Sequence, residues 1–380
     1  MTVQRYKPGG RRCVWVENNN YTKVPYTYAM GQETRYRIES RRRAGYENPG
    51  HYLVRECRID GKRYTAAKFL RSGLRPDEFE LREYIQKYAA ELESRLEERF
   101  VAQRTALFSW KYLPPELAAE LERLRYQNQV MHEVLSVDEA AWYEREFEYH
   151  YVHGTTAVEG NTLSLSDTVS LLEHDVIPKD KSLREIYEVR NFKAVAAYRN
   201  SHRGKVDFAF IKRLHKLITA NILSEPGKFR VSDGFAISGC DFQLTPAVLI
   251  EDELSALISQ YYAQIESGAN PFECAVLFHY YFESIHPFVD GNGRVGRELL
   301  NYLLTRSGYP RFLVLGEKRG EYLSALRMGN QDDFSGMVSA FCRMMLEQRA
   351  ETVRANMEEG LRVLREEKPR YVRGSVRKFF

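Results

Sequence analysis

The stretch SIHPFVDGNGRVGREL, residues 284–299, joins two apolar helical patterns through a glycine-rich loop. The segment before it, FECAVLFHYYFESI, follows an Asn-Pro pair at residues 270–271 that is typical of a helix start. Pro287 disfavours helical geometry at His286 and cannot extend the hydrogen-bond ladder, so the first helix is predicted to end there. After the loop, apolar residues return at helical spacing up to a stop signal at Gly308. We therefore predict a helix, a short loop and a second helix.

The loop leads into the amino end of the second helix, which is an anion-binding position. Unpaired backbone N–H groups and the positive end of the helix dipole both face a ligand there. Gly291 and Gly293 let the backbone approach that ligand closely. Arg294 and Arg297 follow on the first turn, where cations are unfavourable unless an anion balances them. A polyphosphate would provide that balance, so the stretch predicts a phosphate-binding loop.

Two other side chains of the loop indicate a reaction. Asp290 is a hard oxygen ligand that could hold Mg²⁺ between two phosphates. His286 lies just outside the predicted phosphate site, where it could take a proton from an attacking hydroxyl. A single histidine or an Asp-Gly turn has an ordinary structural explanation, but that explanation does not account for two arginines at a helix amino end. The combination indicates nucleotidyl or phosphoryl transfer.

Other phosphate-binding and hydrolytic motifs are excluded. The loop is not a Walker A loop, because the Gly-Lys-Ser/Thr sequence is missing. The run GNGRVG fits G-x-G-x-x-G, but a predicted helix rather than a strand precedes it, so it is not a dinucleotide-binding fingerprint. Zinc-hydrolase signatures are also absent from the sequence.

Residues 286–297, HPFVDGNGRVGR, match without a gap the motif H-x-F-x-[D/E]-G-N-G-R-x-x-R, and the chain thereby resembles the Fic family. The resemblance implies a mainly α-helical Fic-type bundle with a β-hairpin flap. It implies transfer of AMP from ATP to a Ser, Thr or Tyr hydroxyl of a protein, with His286 as the base and Mg²⁺ held by Asp290. The implied nucleotide-binding residues of the motif are Gly291, Asn292, Gly293, Arg294 and Arg297.

Two neighbouring segments extend the resemblance. PGKFRVSDGFAISG, residues 226–239, is similar to the family's Gly-x-Phe-Arg segment and flap, which align a target polypeptide by strand-like pairing. EYLSALRMGNQDDF, residues 321–334, is similar to the segment after the motif, which implies that Tyr322 and Asn330 lie near the nucleotide base. A surface hairpin and an ordinary helix face are the alternative interpretations of these two segments.

An inhibitory motif lies upstream in the same chain. In HGTTAVEGNTLS, residues 153–164, the residues from Thr155 to Gly160 resemble the family's inhibitory pattern [S/T]-x-x-x-E-[G/N]. The resemblance implies that Glu159 pairs with Arg297 and thereby excludes the γ-phosphate of ATP. We therefore expect Glu159→Gly to raise auto-modification and His286→Ala to abolish it.

Composition and charge suggest the domain organisation. The chain has 380 residues and a net charge of +4, but residues 1–80 carry 17 Lys or Arg against 9 Asp or Glu. We predict a basic β-rich accessory unit over 1–75, with a hairpin turn at Asp60-Gly61, and a helical linker region over 76–135. The Fic catalytic domain with its inhibitory helix is predicted over 136–346, and a charged helical tail over 347–380.

The same features predict a cytoplasmic protein. No apolar run is long enough to span a bilayer, and the amino terminus lacks the apolar core of a secretory signal. The five cysteines are odd in number and never paired at metal-ligand spacing, so we expect reduced, mostly buried thiols.

Three alternatives remain open from the sequence. The transferred group could be another nucleotide, phosphocholine or phosphate, or the enzyme could remove AMP. The intact Gly291-Asn292-Gly293 favours AMP, because phosphate-transferring members of the family depart from the motif there.

The basic amino-terminal unit mixes arginines with tyrosines, as single-strand-binding surfaces do, so a nucleic-acid-binding regulator with a vestigial Fic domain is a second interpretation. The lack of an RNA-binding motif disfavours that interpretation. A homodimer is left open.

Overall fold

The computed structural model describes residues 35–42, 44–59, 61–233 and 244–348. Within the described residues the chain divides into two compact units, one containing residues 35–97 and the other residues 98–348. Helix α1 (Glu78–Leu107) begins in the first unit and ends in the second. Each unit is described by itself below.

The first unit contains an antiparallel sheet. Its strands are β1 (Tyr36–Arg41), β2 (Gly50–Ile59) and β3 (Lys62–Ser72), in the order β1-β2-β3. Ile59 pairs with Lys62, so a two-residue turn joins β2 to β3, as predicted; Asp60 of that turn lies outside the described residues. The buried Glu93 of α1 accepts hydrogen bonds from Arg55 Nε at 2.6 Å and Tyr36 Oη at 3.1 Å. A buried, hydrogen-bonded ion pair therefore joins the sheet to α1.

The second unit is a helical bundle. Its helices after α1 are α2 (Pro115–Val134), α3 (Val137–Val158), α4 (Leu165–His174), α5 (Leu183–Arg190), α6 (Phe192–Ser201), α7 (Phe208–Ile218), α8 (Ile250–Glu266), α9 (Pro271–Ile285), α10 (Asn292–Arg306) and α11 (Arg319–Asn330). Short 3₁₀ turns cover Ala247–Leu249 and Gly316–Lys318, and residues 334–348 are helical. The prediction of a mainly α-helical protein with a small amino-terminal β unit is confirmed.

The central element of the bundle is α9, which is buried on almost every face. A helix that is apolar all round belongs in the middle of a core rather than on its surface. Helix α10 packs beside it with an apolar stripe that includes Val295, Leu299 and Leu303, all buried. The loop between these two helices is therefore held between rigid, buried elements.

Helix boundaries follow the capping signals of the sequence. Ser136 and Glu139 form a reciprocal capping box at the start of α3, and Ser182 and Glu185 form another at the start of α5. The Asn270 side chain accepts from the backbone N–H groups of residues 272 and 273 at the start of α9. These boundaries agree with the sequence-based prediction.

The joint between α1 and α2 is held by a carboxylate of α9. Glu273, which is buried, accepts the backbone N–H groups of Lys111, Tyr112 and Leu113 at 2.7 to 2.9 Å. These three donors have no helix to supply acceptors, so the carboxylate satisfies them. The segment KYLPPEL, residues 111–117, is thus tied to the central helix.

A second buried charge cluster links α3 and α6 to α10. Arg199 contacts both oxygens of Glu298 at 3.0 Å and Glu148 Oε2 at 2.7 Å. Arg311 also reaches Glu148, at 2.5 Å. Burial alone would raise the pKa of Glu148, but the guanidinium groups of Arg199 and Arg311 lower it to about 2. The carboxylate therefore stays ionised in the folded protein.

Several sequence predictions fall on residues that the structure does not describe. These are most of the predicted flap, residues 234–243, the tail from residue 349 onward, and the first 34 residues. In the described part of the chain no helix has the length and apolarity to cross a membrane. The three cysteines described, Cys57, Cys274 and Cys342, are buried, as expected.

Candidate active site

The loop between α9 and α10 has a tightly defined backbone. His286 ends α9 in the left-handed conformation, with φ at 51°, and Gly291 precedes α10 with φ at 82°. The Asn292 side chain accepts from Phe288 N at 2.9 Å and donates to Phe288 O at 2.8 Å. This two-way bond closes the loop on itself and leaves the first N–H groups of α10 without intrahelical acceptors. Asn292 is thus a structural clamp of the anion-binding loop.

His215 of α7 supports the same loop by stacking. Its ring stacks on Phe288, with centroids 3.7 Å apart and planes at 1°. Nδ1 accepts from Gly227 N at 2.8 Å, so the proton is on Nε2, which donates to Asp290 O at 2.9 Å. Burial lowers the pKa of His215 to about 4, which keeps this tautomer neutral. Phe288 is fully buried.

His286 is placed as a base. Its Nδ1 lies 3.3 Å from the carbonyl oxygen of Glu283, so Nδ1 carries the proton and Nε2 keeps its lone pair. Burial lowers the pKa of the His286 imidazole. The carbonyl of Glu283 opposes this change, and the nearby Arg230 guanidinium adds to it. A neutral imidazole at the end of a buried helix can accept a proton at neutral pH.

Asp290 is held between two guanidinium groups. One oxygen accepts from Arg294 Nη2 at 3.1 Å, and the other pairs with Arg184 of α5. Burial would raise the pKa of Asp290, but Arg294 and Arg184 lower it. Arg294 is itself buried and lies 3.2 Å from Glu188. Carboxylates therefore balance the charge of this arginine, and its buried Nε and Nη1 atoms make no hydrogen bond within the described residues.

Glu159 forms an ion pair with Arg297. The carboxylate of Glu159, at the end of α3, accepts from Arg297 Nη2 at 2.6 Å. Thr155, one turn earlier, accepts from Arg297 Nε at 2.8 Å with its hydroxyl and from Nη2 at 2.9 Å with its carbonyl. Burial would raise the pKa of Glu159, but Arg297 lowers it. The end of α3 is therefore fixed to the first turn of α10 by three charge-assisted bonds.

Glycine at position 293 makes room for this pair. A β-carbon there would overlap the Glu159 carboxylate and lie 2.9 Å from Arg297 Nη1. Position 293 faces the same space that a phosphate would enter at the amino end of α10. The Glu159 carboxylate and the predicted phosphate therefore share one location.

Gly296 has a different packing partner. A β-carbon there would meet the Glu283 carboxyl and lie 3.1 Å from His279. Burial raises the pKa of Glu283 to about 8 and lowers the pKa of His279 to about 3, so both groups are neutral at pH 7. This neutral pair lies under the turn that carries Arg297.

A polar cavity opens beside these residues. Its volume is about 250 Å³, below the roughly 300–1,000 Å³ usual for small-molecule pockets. The residues that line it include Glu159, Arg184, Glu188, Asp290 and Arg294. With Glu159 on Arg297, the space suits a small polar group rather than a whole nucleotide.

The two residues predicted near the nucleotide base lie apart from this cavity. Tyr322 is buried, its hydroxyl is 2.8 Å from His279 Nε2, and Arg297 lies over its ring at 5.8 Å. Asn330 is at the end of α11, where it accepts from Tyr280 Oη at 3.1 Å. Tyr322 thus supports Arg297 from the core side, and contact of either residue with a base stays a prediction.

The structure brings together most of the predicted site and adds residues that sequence reasoning missed. Asp290, Arg294, Arg297 and Glu159 converge around the amino end of α10, and His286 is close enough for the charges of Glu159 and Asp290 to raise its pKa. Arg184 on Asp290, His215 under the loop and Arg230 beside His286 were not identified in advance. A weak signal existed only for Arg230, in the Gly-x-Phe-Arg match.

Comparisons with known proteins place the site in a family. Residues 205–304 match the Fic/DOC family model. The chain is 32% identical over 200 residues to protein adenylyltransferase fic-1 of Caenorhabditis briggsae, covering 51% of this chain and 39% of that protein. It is 30% identical over 227 residues to protein adenylyltransferase Fic of Drosophila willistoni, covering 58% of this chain and 44% of that protein. The chain thus spans about two fifths of the length of the curated relatives it matches.

Solved structures show the same fold. A fragment of Fic-1 from Caenorhabditis elegans aligns with a TM-score of 0.55 at 24% identity, over 75% of this chain and 90% of that one. A Fic-domain-containing signaling protein from Bacteroides thetaiotaomicron aligns with a TM-score of 0.54 at 21% identity, over 64% of this chain and 97% of that one. Residues 205–304, which include the loop and its flanking helices, are thus similar to the Fic/DOC family, and the solved structures share the fold.

Proposed function

We propose that this protein is a protein adenylyltransferase, which transfers AMP from ATP to a Ser, Thr or Tyr hydroxyl of a protein target and is inhibited by its own Glu159. The observation that carries the proposal is the pairing of Glu159 with Arg297 beside His286. Relatives at about 30% identity are named protein adenylyltransferases, which supports the same activity.

The amino end of α10 provides the phosphate contacts. The backbone N–H groups of Asn292 and Gly293 lie before the first intrahelical bond, which runs from Val295 N to Gly291 O. Arg294, with a buried donor that makes no hydrogen bond in the described chain, and Arg297 bracket that end. Oxygen atoms of a triphosphate suit such donors better than a neutral ligand does.

The donor set also fits Mg²⁺. Mg²⁺ in nucleotide sites takes one or two carboxylates and completes its shell with phosphate oxygens and water. Asp290 is one such carboxylate at the cavity, and no cluster of three metal-ligating side chains occurs within residues 35–348 as described. When bound, Mg²⁺ would neutralise phosphate charge and favour departure of pyrophosphate. Arg184 must leave Asp290 for this to happen, because it occupies one carboxylate oxygen.

The reaction follows from the tautomer of His286. Its Nε2 lone pair accepts the proton of the target hydroxyl, while Nδ1 remains bound to the Glu283 carbonyl. The hydroxyl oxygen then forms a bond to the α-phosphorus, and the bond from that phosphorus to the bridging oxygen breaks. Pyrophosphate takes the electron pair of that bond. The backbone donors of α10 stabilise the negative charge that develops on the phosphate oxygens.

Inhibition follows from the shared use of Arg297. The γ-phosphate of ATP and the Glu159 carboxylate are both anions that require the same guanidinium. While Glu159 holds Arg297, ATP binds weakly or in a pose with its α-phosphorus out of line with the hydroxyl. Release of the end of α3 therefore precedes catalysis.

A labelling experiment tests the proposal. Wild type, Glu159→Gly and Glu159→Gly with His286→Ala are incubated with Mg²⁺ and ATP labelled on either the α- or the γ-phosphate. We expect α-label, and no γ-label, to become covalently attached to protein in Glu159→Gly, to a much smaller extent in wild type, and not at all in the double variant. Covalent γ-label would instead show phosphate transfer, and no label from either ATP in any variant would refute the proposal. Parallel incubations with other labelled nucleotides identify the preferred donor.

A further inference from the structure

Arg230 contacts both the end of α9 and the segment that follows α7. Its side chain is 1% exposed. Nε donates to His286 O at 2.8 Å and Nη2 to Ile285 O at 3.3 Å. The Arg230 backbone N–H donates to Pro287 O at 2.9 Å. Three successive carbonyl groups at the end of the catalytic helix are therefore bound by one residue.

The other donors of the same guanidinium reach both sides of residues 234–243. Nη1 lies 3.3 Å from Ser232 O and 3.2 Å from Asp233 Oδ1, and Nη2 donates to Thr245 O. Asp233 also accepts from Ala247 N at 2.6 Å. Residues 232–233 and residue 245 are thus joined to His286 through Arg230.

The conformation of His286 requires such support. A non-glycine residue with φ at 51° lies in the left-handed region, which is sparsely populated and costs about 1 kcal/mol or more. A cation at the carboxyl end of a helix is favoured by the helix dipole and satisfies carbonyl groups that have no partner in the ladder. Arg230 is a cation at the carboxyl end of α9, and it satisfies the carbonyl group of His286, the residue that carries the base.

We propose that Arg230 is a positioning residue for the reaction, which fixes the orientation of His286 and couples it to residues 232–233 and 245. The inference rests on the proposed function, since it assigns a partner to the proposed base. Arg230 lies on the backbone side of His286 and contacts no reacting atom.

The charge of Arg230 also affects the pKa of His286, and this effect can be measured separately from the positioning of the ring. Four other features influence His286: its own burial, the Glu283 carbonyl, and the carboxylates of Glu159 and Asp290. Among the charged groups near the ring, Arg230 lowers the pKa of His286 and the two carboxylates raise it. Removal of the Arg230 charge should therefore move the pKa of His286 upward, whereas a lysine should preserve the charge and lose the forked geometry.

The test uses the full chain in a Glu159→Gly background, with Arg230→Lys, Arg230→Met and, as a control, Lys205→Met. Lys205 lies outside the predicted target-aligning segment and is 69% exposed. For Arg230→Lys we expect kcat to fall about 100-fold at an unchanged KM for ATP, because displacement of a base by about 1 Å has that effect. For Arg230→Met we expect a similar fall and an acid limb of kcat/KM moved to higher pH. The control should change neither quantity.

Two results distinguish a failure of the proposed function from a failure of the positioning role of Arg230. If the Glu159→Gly parent transfers no AMP, the proposed function is wrong, and NMR titration of the His286 imidazole in the same variants still tests Arg230. If the parent is active but both Arg230 variants keep kcat within about threefold and His286 keeps its pKa, the positioning role is refuted. Should Arg230→Met fail to unfold cooperatively, the lysine variant decides the question through kcat alone.

Discussion

Under the proposed function, replacement of Glu159 should change the fraction of molecules that can bind ATP productively. In Glu159→Gly the carboxylate is lost, and in Glu159→Gln only its charge is lost. Both variants weaken the 2.6 Å bond to Arg297, which is 3% exposed while the Glu159 side chain is 32% exposed. The rate of AMP transfer should rise in the order wild type, Glu159→Gln, Glu159→Gly.

The size of the effect follows from this one bond. A hydrogen bond to a charged group contributes about 1.5–3 kcal/mol, and a neutral one about 0.5–1.5 kcal/mol. Since about 1.4 kcal/mol changes an equilibrium tenfold, Glu159→Gly should raise the competent fraction by about 10- to 150-fold. Glu159→Gln keeps a neutral acceptor, so its increase should be about five- to tenfold.

The assay measures initial rates of α-labelled AMP incorporation together with ATP affinity by calorimetry. Asp138→Asn serves as a control, because it removes a carboxylate from the exposed first turn of the same helix. Rates and affinities for Glu159→Gly that stay within about twofold of wild type would refute the competition for Arg297. An equal rise in Asp138→Asn would show that α3 is simply destabilised.

Three other predictions concern single contacts. Arg184→Ala should lower the Mg²⁺ concentration needed for half-maximal rate in the Glu159→Gly background by about two- to fivefold, because an exposed ion pair on Asp290 contributes about 0.2–1 kcal/mol; an unchanged Mg²⁺ requirement would contradict this. Glu273→Gln should reduce the free energy of unfolding in urea by about 1–3 kcal/mol, since an amide cannot accept all three N–H groups of residues 111–113; a loss below about 0.5 kcal/mol would count against the importance of these bonds. The lowered pKa of Glu148, about 2, implies stability that is complete above the unfolded-state pKa near 4.5 and is lost as pH falls toward 2. Wild type should therefore lose more stability than Glu148→Gln between pH 5 and 2, and parallel curves would exclude this contribution.

Features that depend on neighbouring residues were accessible from the sequence. Pro287 ends α9 wherever α9 lies, and the Ser136–Glu139 capping box forms within one turn. The loop from His286 to Gly291 is specified in the same way, by glycine conformations and by the Asn292 clamp four residues from Phe288. Such signals act within a few residues, so they survive without knowledge of the fold.

Contacts between distant residues were accessible only through resemblance or not at all. Glu159 and Arg297 are 138 positions apart, and only the match to an inhibitory pattern suggested that they meet. Arg184 and Asp290 are 106 positions apart, with no such pattern. An exposed arginine at the start of α5 has the same local signature whether it faces water or a carboxylate. Its partner is set by the packing of α5 against the loop. A short stretch of sequence contains no information about that packing.

Residue 293 is a glycine, and its lack of a side chain limits which mutations can release Arg297 from Glu159. A single added methyl there would displace the Glu159 carboxylate, and it would also fill the space meant for a phosphate oxygen. A permanently active enzyme therefore cannot arise through Gly293→Ala or a larger replacement on α10, and must arise from the α3 side. Random screens for hyperactive clones should accordingly return substitutions around Thr155 and Glu159 and none at the glycine.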